Sequence, residues 1–99
     1  MGTVVHVWMK NPGRRICAAW GARSTSEGQI TIVEAALESI ETHLGQKLNG
    51  TEYDKLRRQI EQSTLYAIKE KRSAEQFLKV VVAIADYMKS GRARHSGGL

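Results

Sequence analysis

This chain has little cysteine and no long apolar run. Cys17 is its single cysteine, so an internal disulfide framework is excluded and a reducing compartment is favoured. The apolar run over residues 80–85 is far shorter than the about 20 residues that span a bilayer, and the first residues lack the pattern of a signal peptide. We therefore expect a soluble cytoplasmic protein without a membrane partner.

Motifs that carry catalysis or hold a cofactor are also missing. The chain has no glycine-rich phosphate loop, no nucleophile elbow and no dinucleotide fingerprint. The possible soft metal ligands are His6, Cys17, His43 and His95. They lack the paired spacing that pre-organises a zinc site. We expect no enzymatic activity, no catalytic residue, no cofactor and no bound metal.

The overall composition is that of an ordinary folded domain. Hydrophobic residues make up 41% and charged residues 25% of the 99 residues, which argues against global disorder. The length fits one domain, which we place at residues 1–90. The formal net charge of +5 and the pI near 9.7 make nucleic acids or acidic protein surfaces plausible partners.

The N-terminal part predicts a β-hairpin over residues 3–20. Residues 3–9, TVVHVWM, are rich in the β-branched and aromatic residues typical of strands. Asn11-Pro12-Gly13 is turn chemistry, because proline pre-sets φ and glycine tolerates positive φ. Residues 14–20, RRICAAW, then return as the second strand.

Three helices are expected after the hairpin, over residues 27–44, 52–71 and 74–89. Three signals predict where these helices begin. They are the capping-box spacing of Ser24 with Glu27 or of Ser26 with Gln29, Thr51 before the second helix, and the capping-box spacing of Ser73 with Gln76. The β-branched cluster leaves open whether residues 29–33 are helix or a third strand. Gly91 is expected to end the third helix, and residues 91–99 to form a flexible basic tail.

The third predicted helix is apolar around most of its circumference. On one side lie Phe77, Val80, Val81, Ile84 and Met88, by the rule of 100° per residue. A helix of this kind must be covered on several sides, so we expect it to be central, to form a homodimer interface, or both. The sequence thus predicts a mainly helical α+β fold in which this helix is central.

The second predicted helix carries a basic face opposite its apolar stripe. This face contains Lys55, Arg58, Gln62, Lys69 and Arg72, within about a third of the circumference. Such a row of cations is suited to neutralising phosphates. The alternative is a solvated surface on which Arg58 pairs with Glu61 or Glu52.

Basic residues and tryptophans are combined in the N-terminal segment. Arg14 and Arg15 flank the predicted hairpin, which would display Trp8 for stacking on bases or for binding a protein. The alternative is that Trp8 and Trp20 pack against the first helix. On that helix, Glu34, Glu38 and Glu41 share one side, as a solvated acidic face or as a partner of the basic helix.

Two classes of function follow from these patterns. The first is a small basic regulator that binds DNA or RNA as a homodimer through Lys55, Arg58, Lys69, Arg72, Arg14 and Arg15. The second is an adaptor or inhibitor that binds a protein target through Trp8 of the hairpin and through Phe77, Val81, Ile84 and Met88 of the third helix.

Overall fold

Residues 13–97 form four α-helices in the computed structural model, which describes residues 7–8 and 13–97 and gives only the backbone of residues 92–97. The elements are α1 (Arg14–Ala19), a 3-10 turn (Trp20–Ala22), α2 (Ser26–Leu44), α3 (Gly50–Lys69) and α4 (Ala74–Gly97). No strand occurs among the described residues. The fold is therefore all-helical.

The prediction of an α+β fold with an N-terminal hairpin was wrong. The segment that would form the second strand is α1, and Val7 and Trp8 of the first strand are helical. The remainder of that strand and its turn, residues 3–6 and 9–12, lie outside the described residues. Arginine and alanine dominate α1, and both favour helix. A run of about seven residues is too short for its periodicity alone to separate a strand from two helical turns.

Gly13 shows how closely this N-terminal segment packs. A Cβ built on Gly13 would lie 2.7 Å from the main-chain oxygen of Trp8 and 2.9 Å from a methyl group of Leu78. Gly13, which the sequence predicted to be part of a hairpin turn, is therefore required for close contact between the N-terminal segment and α4.

The central helix is α2, whereas the sequence predicted the third helix, here α4, to be central. The packing partners of α2 are α1, the 3-10 turn, α3 and α4. Its buried residues are Gly28, Ile32, Val33, Ala35, Ala36, Leu37, Ser39 and Ile40. Several of these residues are small, which lets neighbouring helices pack closely on α2. A prediction that counts only bulky apolar residues therefore underestimates the burial of α2. Residues 29–33 are helical throughout.

Side-chain caps begin each long helix. The Thr25 hydroxyl accepts a hydrogen bond from the Gly28 amide at 2.9 Å, and the Asn49 side chain caps α3 at 2.8 Å. Ser73 and Gln76 form a reciprocal capping box at the start of α4, as their spacing predicts. Thr25 and Asn49 replace the predicted caps nearby, since all of these residue types can accept from a first-turn amide.

Left-handed residues end α2 and α3. Gly45 has φ +76° and Lys71 has φ +55°. In both turns, two amides just past the helix donate to carbonyls of its last turn, at distances of 2.8–3.3 Å. This is the Schellman arrangement, in which glycine is the usual left-handed residue. Lys71 is thus the unusual one.

The end of α4 differs from the prediction. The helix continues past Gly91 to Gly97, although the sequence places its end at residue 89. An isolated glycine lowers helix propensity by about 1 kcal/mol and so disfavours a helix without necessarily ending it.

Candidate functional site

The side of α3 that faces solvent can be identified from the side that is buried. Leu56, Ile60, Thr64 and Ala67 are buried against the rest of the bundle, and the Thr64 hydroxyl donates back to the Ile60 carbonyl at 2.7 Å. Because this stripe repeats with the helical period, residues half a turn away face solvent.

Three cations occupy this outward side, and we call Lys55, Arg58 and Lys69 the basic row. All three are exposed, and none forms an ion pair with another described residue. The row extends over about 21 Å of helix, at a rise of 1.5 Å per residue. One of the two local partners proposed for Arg58 is used elsewhere, because Glu61 pairs with Arg57 at 3.4 Å.

Arg72 follows the basic row in the turn between α3 and α4. Its side chain is exposed, and its guanidinium carbon lies 5.9 Å from the centre of the Tyr66 ring. The Arg72 carbonyl accepts a hydrogen bond from Nε1 of Trp20 at 3.2 Å. This hydrogen bond anchors the main chain of the turn to the core, while the guanidinium of Arg72 stays at the surface.

The other two predicted cations lie on a different element. Arg14 and Arg15 belong to the first turn of α1, which packs on α2 and α4. Arg15 forms an ion pair with Glu38 of α2, whereas Arg14 is exposed without an ion-pair partner in the described part of the chain. The six predicted cations therefore do not share one element, and the basic row with Arg72 is the group that does lie along α3 and its end.

Both tryptophans belong to the core. Trp8 is 2% exposed, and its ring centre lies 5.3 Å from that of His43 on α2. Trp20 is 5% exposed and stacks on Phe77 at 4.8 Å. Display of Trp8 on a surface was thus a wrong expectation, because its indole is buried and lies against His43 of α2.

The residues predicted as a protein interface on α4 are mainly core residues. Phe77 and Val81 are 1% and 0% exposed, while Ile84 and Met88 are partly buried against the core. The exposed apolar residues of α4 are instead Val80, at 43%, and Tyr87, at 76%. The apolar circumference of α4 is therefore largely covered by the chain's own helices. The exception is the line of Val80 and Tyr87, which we call the exposed strip.

An open groove of about 350 Å³ lies between α3 and α4. It is lined by Gln59, Gln62, Ser63, Tyr66, Ala67, Arg72, Gln76, Phe77 and Val80. Tyr66, which is 58% exposed, was not predicted as a site residue, although its spacing of four residues from Gln62 places it on the same side of α3. A second groove of about 300 Å³ between α2 and α3 includes the exposed Ile30 and Leu65.

Of the four possible metal ligands named from the sequence, the structure describes the side chains of Cys17 and His43. The Cys17 thiol has its pKa raised, first by burial and then by the Glu75 carboxylate, which is the opposite of what activates a nucleophile. His43 contacts Asp86 at 2.9 Å. Among the described residues there is no group of three side chains suited to metal binding, and none of the described helices has the length and apolarity needed to cross a membrane.

Comparison with known proteins yields no match to a protein-family model, a curated protein or a solved structure.

Proposed function

We propose that this protein is a non-catalytic regulator that binds nucleic acid through the outward side of α3. The observation that carries the proposal is the basic row, three exposed cations without ion-pair partners in the described chain. Phosphate groups would supply the missing negative charge, and release of their counterions would favour binding.

Two acidic side chains of α2 support this assignment because they are engaged away from the basic row. Glu38 pairs with Arg15 on α1, and Glu41 lies 3.8 Å from Lys47 and accepts from the Leu48 amide at 3.0 Å. Neither neutralises the basic row. The net charge of +5 adds long-range attraction for a polyanion at low salt.

Two matched variants test the proposal. The row variant carries Lys55→Gln, Arg58→Gln and Lys69→Gln, and the control variant carries Lys47→Gln, Lys79→Gln and Lys89→Gln, all at exposed positions. Each lowers the net charge equally. Fluorescence anisotropy with labelled DNA and RNA should show at least about tenfold weaker binding for the row variant and a much smaller change for the control. Equal losses in both variants, or no binding by the natural chain at low salt, would refute the proposal.

Self-association is the second part of the proposal. Tyr87 is 76% exposed on α4, beside the partly buried Ile84, so a second copy of the chain would gain apolar burial here. A symmetric dimer would also present two basic rows. Light scattering at micromolar concentration should give the mass of a dimer, which Tyr87→Ser shifts toward monomer. A monomer for the natural chain would refute this part.

Protein binding is the second candidate function, and the same exposed strip favours it. A non-catalytic adaptor would use Val80 and Tyr87 rather than the buried Trp8. It predicts a stoichiometric complex from the native host that survives nuclease treatment and is lost in Tyr87→Ser. Loss of that complex after nuclease treatment would instead support nucleic-acid binding.

A further inference from the structure

The groove between α3 and α4 has a buried apolar floor and polar walls. Phe77 on its floor is 1% exposed, and Ala67 is 5% exposed. The walls carry three glutamine amides and one hydroxyl, those of Gln59, Gln62, Gln76 and Ser63. An apolar floor with several hydrogen-bonding groups around it is suited to a ligand with an apolar face and polar edges.

Tyr66 and Arg72 provide the planar surfaces of this site. The tyrosine ring is 58% exposed, and the guanidinium lies 5.9 Å from the ring centre. Aromatic rings and guanidinium planes are the surfaces on which unpaired bases stack in single-stranded nucleic-acid complexes.

The hydrogen-bonding groups of the walls are available to a ligand. Gln59, Gln62 and Ser63 form no side-chain hydrogen bond with other described residues, whereas the oxygen of Gln76 accepts from the Ser73 amide at 2.9 Å. Primary amides both donate and accept, which matches the mixed donors and acceptors on base edges.

The groove lies next to the basic row on α3. Gln62 lines the groove and lies on α3 one helical turn beyond Arg58, so the groove opens beside the cations rather than on another face. A strand whose phosphates follow the basic row can therefore direct a base toward Tyr66. Bases in a duplex are stacked on their neighbours and lack a free face.

We propose that this groove holds an unpaired base of a single-stranded nucleic acid, stacked on Tyr66, and so makes the protein selective for single strands. The inference rests on the proposed function of the basic row. It adds a class of ligand, unpaired DNA or RNA, and names the residues that recognise it.

The test compares single-stranded and duplex oligonucleotides of the same sequence by fluorescence anisotropy, with DNA and RNA as separate arms. The natural chain should prefer single strands of at least one sugar type. Tyr66→Ala should weaken single-strand binding by about tenfold or more and leave duplex binding within about twofold. Tyr66→Phe should retain single-strand binding, because the stacking surface is preserved. Circular dichroism checks that each variant keeps its helices.

Three results would overturn the inference in distinguishable ways. The first result is that Tyr66→Ala affects binding of single strands and duplexes equally, or affects neither. If the row variant still loses binding, this result would refute the base site and leave the proposed function of the basic row standing. Tighter binding of duplexes by the natural chain would refute single-strand selectivity in the same way. Absence of any nucleic-acid binding by the natural chain would end the proposed function as well.

Discussion

Nε1 of Trp20 donates a hydrogen bond to the main-chain carbonyl of Arg72 at 3.2 Å. This bond joins the 3-10 turn before α2 to the turn between α3 and α4. The indole also stacks on Phe77, so one side chain connects the N-terminal segment, the turn and the floor of the groove. The position of Arg72 at the end of the basic row thus depends on a tryptophan far away in sequence.

Replacing this indole tests the connection. Trp20→Phe keeps an aromatic ring but removes the N–H donor, and we expect a loss of about 1–3 kcal/mol of unfolding free energy in urea. Arg72→Ala is the matched control, because it retains the carbonyl acceptor and should cost less than about 0.5 kcal/mol. A Trp20→Phe protein as stable as the natural chain would show that the bond contributes little.

Gly28 is the glycine with the least room around it. A Cβ at this position would lie 1.8 Å from the Ala22 carbonyl oxygen, so Gly28→Ala must displace the main chain of the 3-10 turn. We expect a loss of about 2–4 kcal/mol, measured by thermal or urea unfolding. Gly50→Ala, also in a helix but with nothing within 4 Å, should be neutral or stabilising by up to about 1 kcal/mol. Equal effects of the two substitutions would contradict this packing.

The two left-handed helix ends predict opposite effects of glycine substitution. At φ +76°, Gly45→Ala should cost about 1 kcal/mol, because a Cβ is strained in this region. At φ +55°, Lys71→Gly should relieve the same strain and raise the unfolding free energy by up to about 1 kcal/mol. Destabilisation by Lys71→Gly in urea unfolding would mean that the lysine side chain makes a contribution larger than its backbone strain.

Burial of Cys17 predicts slow reaction of its thiol. Because burial and the Glu75 carboxylate raise the pKa of Cys17, the thiolate fraction at a given pH should be lower in the folded chain than in the unfolded one. Iodoacetamide labelling near neutral pH should therefore be slower in buffer than in denaturant, and its pH profile should be displaced upward.

The same shift predicts a direction for alkaline stability. The folded state holds the thiol proton more tightly, so this stabilising contribution is fully present below the ordinary thiol pKa and is lost as the pH rises from there through the raised pKa of the folded state. Cys17→Ala should lose less stability than the natural chain over that range in urea unfolding. A labelling profile displaced downward, or a steeper alkaline loss in the variant, would contradict the assignment.

The sequence predicted the exposure of the cations on α3 correctly, but it did not predict the all-helical fold or its central helix. The 3.6-residue period of Leu56, Ile60 and Ala67 was sufficient to place Lys55 and Arg58 outward, because helical geometry alone relates the two sides. It did not reveal that α2 is central, since Ala35 and Ala36 become buried through their small size rather than their hydrophobicity. The same period places Tyr66 about 40° from Gln62 on α3, whereas the groove beside it forms only through the packing of α4 against α3, which no local pattern encodes.

The dependence of binding on salt tests the central claim most directly. The affinity of the natural chain and the row variant for a labelled single strand should be measured from about 50 mM to about 200 mM salt. If the basic row contacts phosphates, the slope of log affinity against log salt should become shallower by about 2–3 in the row variant and stay nearly unchanged in the control variant. Slopes that are the same in the natural chain and the row variant would contradict the assignment of nucleic-acid binding to this side of α3.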